Sequence, residues 1–374
     1  MVLTYAVTLI GAVAGAYQLL SLAAAIRHLL SREPAEPTSL PAVSILKPIH
    51  GLDPAFLDAI RSHAVQDYPE FEVLFGVRAL DDPAVPEIRR LIEEFPALRI
   101  RLIECPTSTP NAKAGVLMDL AAEARHPVLL VNDSDIRVPQ GYLRRVVAAL
   151  DEPGVGLVTC IYTARADSLP GKWEALGIST DFAPSILVAR LIGVREFGMG
   201  STLCFRVAQL REIGGFAAIA DYLADDYQLA KRITQSGYRA VVSKVPVTTH
   251  VGDDTWVGVW RHQVRWARTI RVSKGGGYVG LPVTHAGLWA LLAAAAGQWW
   301  LAGVLCLARI ASGLATGVLV LKNRAMLLWA PLIPLWDLWA FAVWAAGLAG
   351  DTVLWRGRKI KLMSSGRIPS NSIQ

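Results

Sequence analysis

Val128-Leu129-Leu130-Val131-Asn132-Asp133-Ser134-Asp135 is the stretch that decides the fold. Its first four residues are apolar and read as a strand buried on both faces. The strand stops at a polar turn carrying two carboxylates at i and i+2. In an open α/β sheet, ligands sit beyond the carboxyl ends of strands, which is where Asp133 and Asp135 fall. Two acids there can hold a hard divalent cation, and such a cation can neutralise a diphosphate. Asp and Ser are also ordinary turn residues. The weight of the reading therefore comes from what surrounds it.

Upstream, Val43-Ser44-Ile45-Leu46 predicts a strand ending at Lys47-Pro48. A helix over 53–66 follows, whose Asp53-Pro54 start fits an N-cap with Pro at N1. Strands are predicted over 71–77, 99–103 and 156–160, and helices over 83–95, 112–124 and 140–150. Strands alternating with helices of this length argue βαβ units and a parallel sheet. Further on come a helix over 173–187, a Gly-rich turn at Gly198-Met199-Gly200-Ser201 and a helix over 222–235.

The 374 residues suffice for one large α/β domain or two ordinary ones. At 53% hydrophobic and a mean hydropathy of +0.38, the chain is too apolar for an average soluble domain. The excess gathers at the two ends, which signals membrane attachment. A net charge of +6 and a pI near 9.2 suit anionic head groups or phosphate-bearing substrates. Nucleic acid is not expected as a partner, because no recognisable binding module interleaves the basic residues. Cys105, Cys160, Cys204 and Cys306 are widely spaced, suggesting neither a disulfide framework nor a zinc site.

Val2 to Ile26 is an uncharged run of 25 residues. As a helix it extends about 37 Å at ~1.5 Å per residue, enough to cross a bilayer. No basic residue precedes it, which argues against a cleaved signal peptide. Arg27, His28 and Arg32 follow at once, so the positive-inside rule puts the next segment in the cytoplasm. Asp253-Asp254 opens a stretch with Trp256, Trp260 and Trp266 among Arg261, Arg265, Arg268, Arg271 and Lys274. That pattern describes an amphipathic helix at the membrane interface, or a surface helix packed on the globular domain. Runs over 283–305 and 325–350 are each long enough to span. Ile310 to Leu321 is a short span or a re-entrant piece. Asp337 is costly in lipid and is expected to face protein or head groups. Arg356, Arg358, Lys359, Lys361 and Arg367 against Asp351 argue for a cytoplasmic tail. An even number of crossings after the central domain is therefore expected.

Polar clusters recur at the ends of predicted elements: Asp81-Asp82, Asn111-Ala112-Lys113, Asp133-Ser134-Asp135, Asp225-Asp226 and His262-Gln263-Val264-Arg265-Trp266. Each has a plain structural reading, such as Asp82-Pro83 capping a helix or Lys113 as a solvated first-turn lysine. Their order is what matters. At this point the chain resembles the inverting, membrane-bound glycosyltransferases of family 2 type. More closely it resembles the ceramide glucosyltransferase family (family 21) and its bacterial hopanoid-biosynthesis relatives. The pattern D, D, D, (Q/R)xxRW of that family is carried by Asp82, Asp133, Asp226 and His262-x-x-Arg265-Trp266. Leu46-Lys47-Pro48, Gly51-Leu52-Asp53-Pro54, Asp67-Tyr68-Pro69 and Asp225-Asp226-Tyr227 match as well. His262 stands where the family usually has Gln or Arg. Asp135 replaces a Gly associated with the animal ceramide enzymes and favours a bacterial subgroup.

The resemblance implies a Rossmann-like GT-A α/β domain flanked by membrane helices. Its expected layout is a membrane helix over 1–27, a linker over 28–42, the catalytic domain over 43–250, an interface segment over 251–281, membrane segments over 282–350 and a tail over 351–374. It implies a multi-pass protein of the bacterial inner membrane whose catalytic domain is cytoplasmic. Its partners would be a UDP-sugar donor, a lipid acceptor and the bilayer. Mg2+ or Mn2+ would be held through Asp133 and Asp135. Lys47, Asp82, Lys113, Asp133, His262, Arg265 and Trp266 would bind the nucleotide sugar. Met199, Gly200, Ser201 and Asp225 would line the sugar or acceptor side. Charge develops on the diphosphate as the sugar leaves, and Lys113 and Arg265 can stabilise it. Asp226 can take the proton from the acceptor hydroxyl. N-acetylglucosamine passing to a hopanoid polyol such as bacteriohopanetetrol is the favoured pair, with UDP-glucose and ceramide next. A processive polysaccharide synthase shares the motifs but needs more spans. A membrane scaffold on a degenerate transferase fold is the remaining alternative.

Overall fold

The computed structural model describes residues 2–369 except 36, 38, 253, 254, 356, 357, 364 and 365. Asp253-Asp254, Arg356 and the extreme end of the basic tail therefore lie outside the described residues. The chain divides into two compact units. Among the described residues, one unit comprises 32–162, 194–252 and 367–369; the other comprises 2–31, 163–193 and 255–366.

The first unit is built on a seven-stranded sheet. Its strands are β1 (Val43–Pro48), β2 (Phe71–Val77), β3 (Arg99–Glu104), β4 (Val128–Val131), β5 (Val155–Arg165), β6 (Leu203–Arg206) and β7 (Arg239–His250). They lie in the order β3-β2-β1-β4-β6-β5-β7. β1 pairs in parallel with β2 and β4, and β2 in parallel with β3. All four residues of β4 are buried, as its apolar run requires of a central strand. Helices Phe56–Ala64, Val85–Glu94, Ala112–Glu123 and Tyr142–Asp151 make the crossovers. Two cores result. One holds Ile45, Ile60, Phe75 and Val147, the other Leu46, Leu117, Leu129 and Phe205.

Two expectations need correction here. The sheet is mixed, because β6 runs antiparallel to both β4 and β5. A strand of four residues carries too short a pattern to announce its direction. The first crossover helix also begins at Phe56, not at an Asp53 N-cap. Ala55 sits in the left-handed region at φ 54°, and the Asp53 side chain is used elsewhere.

The second unit is helical. Helices Thr4–Leu30, Trp299–Val320 and Met326–Leu348 are long and apolar enough to cross a membrane. Gly275–Thr284 and Ala286–Ala295 pass the same test only together and are bent by 49°. The apolar helices thus divide differently from the expected runs. Ile310 to Leu321 belongs to a full-length helix, and the broken piece lies before it. Gly297, at φ 78°, turns the chain between the two, and an unbroken apolar run hides that turn. Small residues let the helices approach: Ala14, Ala286, Ala290 and Ala293 pack with Leu301 and Leu305. Asp337 is fully buried in a fork with Arg309, at 2.9–3.0 Å, and its Oδ2 accepts the Gly287 N–H at 2.7 Å. Residues 163–193, which begin with the last residues of β5, cluster with this unit. They form helices Leu169–Gly177 and Ala183–Leu191, joined by a π-helical turn at Ile178–Phe182.

Helix Trp256–Ser273 is packed more than its amphipathic pattern implies. Arg271 donates to the Leu348 and Gly350 carbonyls at 2.7 and 2.5 Å, and Arg268 to Ala349 O at 3.1 Å. These guanidinium groups satisfy the open carbonyls at the end of the last apolar helix. Trp256 and Trp260 meet Trp339 with ring centroids 6.0 and 5.3 Å apart. The tail beyond it forms a two-stranded hairpin, Thr352–Trp355 with Arg358–Lys361.

Candidate active site

The site grows from the turn after β4. Asn132 is buried, and its amide donates to Ser201 O at 2.6 Å and Tyr142 Oη at 3.0 Å, which fixes the start of the turn. Lys47, at the end of β1, is fully buried with Nζ donating to Asp133 O at 2.9 Å. Burial lowers this ammonium to about 7 against the pull of Asp135, Asp133 and Asp53. Lys47 thus reaches the main chain of the turn from beneath. Asp53 takes the Ser134 hydroxyl, and Asp135 takes the hydroxyl of Thr249 on β7.

Lys113 stands in the first turn of helix Ala112–Glu123, whose N-cap Asn111 accepts from the Lys113 and Ala114 N–H groups. The same Asn111 amide donates to Tyr222 O at 2.8 Å, tying this helix to the loop before Asp225. Lys113 Nζ lies 2.7 Å from Asp133 Oδ1 and 3.2 Å from Asp225 Oδ2. Burial alone would lower it, but Asp133, Asp225 and Asp226 outweigh burial and hold it protonated. It is therefore a fixed buried charge, not a solvated surface lysine.

Asp226 accepts the Gly200 N–H at 3.0 Å on Oδ2 and the Tyr227 N–H at 2.7 Å on Oδ1. Burial, then the neighbouring Asp225, pushes its carboxyl up to about 6, with Lys113 pulling down. Gly200 also accepts the Asp133 N–H at 2.9 Å. A Cβ at Gly200 would meet Asp133 Oδ2 at 2.3 Å, so a side chain there would have to displace that carboxylate. Met199 and Ser201 are buried, and Ser201 Oγ donates to Cys160 O at 2.7 Å. Of the three turn residues, it is Gly200 that lies against the acids. Asp82 accepts the Gly51 N–H and the Ala84 N–H, each at 2.9 Å, and so ties together the loops after β1 and β2.

Asp133 and Asp135 are the two acids of this turn that could hold a hard cation. Burial first, and the Asp133 charge second, pushes the Asp135 carboxyl up to about 6, so the pair resists sharing negative charge without a counter-ion. Among the described residues, no group of three or more His, Cys, Asp or Glu is arranged around a metal position. Two carboxylates completed by phosphate oxygens are the pattern expected of Mg2+.

His262, Arg265 and Trp266 belong to the helical unit. His262 Nδ1 lies 2.7 Å from Oε1 of the buried Glu174, which also accepts from Gln263 Nε2 at 2.7 Å. The His262 ring meets Trp266 edge-on at 4.8 Å, and Trp266 meets Phe182 at 5.8 Å. Asp53, Glu174 and Thr249 were missed in the sequence. Only Asp53 had a local signal, the Gly51-Leu52-Asp53-Pro54 match.

Residues 3–368 match the profile of glycosyl transferase family 21. Ceramide glucosyltransferase 1 of Caenorhabditis elegans is 30% identical over 237 residues, 62% of this chain and 50% of the relative. Ceramide glucosyltransferase 3 of the same organism is 28% identical over 224 residues, 59% of this chain and 48% of the relative. The chain thus matches about half the length of these curated relatives. A mannosyltransferase from Pyrobaculum calidifontis, solved with GDP-Man and Mn2+, superposes with a TM-score of 0.56 at 22% identity, covering 92% of this chain and 97% of that one. This likeness identifies the fold as GT-A.

Proposed function

The chain belongs to glycosyl transferase family 21, and we propose that it moves a sugar from a UDP-sugar to a hydroxyl of a membrane lipid, inverting the anomeric centre. One observation carries the reading: the main chain of Gly200 hydrogen-bonds both Asp133 and Asp226, so an acid suited to the donor and an acid suited to the acceptor, from two different elements, are tied to one residue. Each Asp226 oxygen accepts one backbone N–H and keeps further lone-pair capacity for a hydroxyl proton.

Asp133 and Asp135 would hold Mg2+ or Mn2+, which when bound would supply positive charge to the diphosphate. Lys113 adds a protonated ammonium beside Asp133, and Arg265 of the RW pair is assigned to the same charge. Asp82 is assigned to the nucleoside, and His262 with Trp266 to the donor side. Asp226 accepts the proton as the lipid oxygen attacks the anomeric carbon. The nucleoside diphosphate leaves from the opposite face in a single displacement.

For the acceptor, a hopanoid polyol receiving N-acetylglucosamine is favoured by Asp135, which departs from the animal ceramide pattern. The curated relatives favour a second reading, glucose passing to ceramide. Three helices fit to cross a membrane support retention at a bilayer. Arg27, Arg32 and the basic tail support a cytoplasmic catalytic unit in a bacterial inner membrane. Purified protein in detergent, crossed against UDP-glucose and UDP-N-acetylglucosamine with bacteriohopanetetrol, ceramide, a sterol and diacylglycerol, tests the reading. Transfer to a lipid hydroxyl is expected. Donor turnover only into polymer, or none with any pair, would overturn it.

A further inference from the structure

The helical unit contains a cavity lined mainly by aromatic and aliphatic side chains, among them Tyr278, Trp336 and Trp266. Its polar lining includes Asp181, Gln263 and His285. Two of these are held inside the protein: Gln263 donates to Glu174, and Asp181 accepts from Trp336 Nε1 at 3.2 Å. His285 differs. It is buried, and its Nδ1 has no hydrogen-bond partner among the described residues. A buried ring nitrogen without a partner is unfavourable, so such groups point to something that satisfies them.

The position of His285 adds a second observation. It sits at the break between helices Gly275–Thr284 and Ala286–Ala295, which are bent by 49°. Interrupted helices in apolar surroundings are tolerated where they line a cavity, and their breaks commonly form binding sites. The cavity is also lined by Trp266, which the transfer reading assigns to the donor side, and by its near neighbour Gln263.

We propose that this cavity is the acceptor subsite: it takes the apolar body of the acceptor lipid and hydrogen-bonds a hydroxyl near its polar end through His285. The inference rests on the lipid-transfer reading and locates its acceptor. An apolar site with a few convergent polar groups is the general form of a small-molecule pocket. The hydroxyl satisfies Nδ1, and a pure hydrocarbon cannot.

A photoactivatable long-chain 1,2-diol and its hydroxyl-free alkane counterpart test this directly on the full chain in detergent, without any sugar donor. The diol is expected to label peptides lining the cavity and to outcompete the alkane. His285→Phe should abolish that preference and His285→Gln should keep part of it. Equal labelling by both probes, labelling elsewhere, or a cavity that takes up only water would overturn the proposal. In turnover, Ala340→Phe, which fills the cavity from one wall, should raise the acceptor KM by roughly tenfold, the equivalent of about 1.4 kcal/mol. Donor affinity should not change. An unchanged acceptor KM would count against the site. If no lipid accepts sugar, the transfer reading fails, while the labelling still reports on the cavity.

Discussion

Gly200 donates its backbone N–H to Asp226 Oδ2 at 3.0 Å while its carbonyl accepts the N–H of Asp133 at 2.9 Å. Both acids are therefore tied to one residue, where a side chain would have to displace the Asp133 carboxylate. Gly200→Ala would push a methyl group onto the Asp133 carboxylate. A displacement of about 1 Å in an active site can cost ~10²-fold. A loss of that order in turnover is expected, with the cation concentration for half-maximal rate raised. Steady-state assays across a Mg2+ and Mn2+ series would measure both. A variant with unchanged rate and cation response would separate Gly200 from the site.

The Asp226 carboxyl, raised to about 6, fixes the sign of a pH effect. A base must be ionised to work, so turnover should rise with pH through about 6. Stability should move the other way. The folded state binds more protons than the unfolded one between the ordinary carboxyl value of 3.8 and about 6, so this group's contribution falls as pH rises through that window. Asp226→Asn should reduce that slope in thermal melts between pH 4 and pH 6, leaving the share of Asp135, whose carboxyl is also raised to about 6. A wild-type rate that is flat across the same window would contradict the assignment.

Glu174 is buried and holds both His262 and Gln263. Hydrogen bonds to a charged group contribute about 1.5–3 kcal/mol. Glu174→Gln should therefore reduce kcat/KM by at least roughly tenfold, and His262→Gln, the residue usual at that position, should retain more activity. Comparing the two variants in one preparation decides whether Glu174 acts through His262. Equal activity of Glu174→Gln and the parent would leave it a purely structural acid.

The Arg309–Asp337 pair closes the helical unit from inside. Removing one partner of a buried ion pair typically costs about 3–5 kcal/mol. Arg309→Met should destabilise the detergent-solubilised protein by that order, and Arg309→Met with Asp337→Leu should recover part of it. Thermal unfolding of the single and double variants gives the comparison. If the double variant is no more stable than the single, the loss at Arg309 is not that of an unpaired Asp337.

Local patterns carried much of this architecture. The apolar run of β4 ends in its acids, and Asn111 announces the start of the Lys113 helix, because both are written in consecutive residues. β7, 12 residues long, is harder to read: Lys244 and Pro246 lie on the less buried face of its alternation, and a proline inside a run argues against a strand. The partners of Asp53 and Glu174 are more than 80 residues away, at Ser134 and His262, and no local pattern encodes such contacts. The broken apolar helix was hidden for another reason: composition shows an apolar run but not that it bends at His285 or turns at Gly297. Asp337 was expected to face protein or head groups, and its partner proves to be Arg309, on another apolar helix.

The central claim is that Asp226 takes the acceptor proton while Asp133 serves the donor. It is tested most directly by measuring lipid glycosylation and UDP-sugar affinity for Asp226→Asn and Asp133→Asn in the same detergent. General-base catalysis contributes roughly 10²–10⁴-fold. Asp226→Asn should lose that much turnover with donor affinity intact, and Asp133→Asn should weaken cation-dependent donor binding. Near parental transfer by Asp226→Asn, or a loss wholly explained by failure to bind donor, would contradict the account.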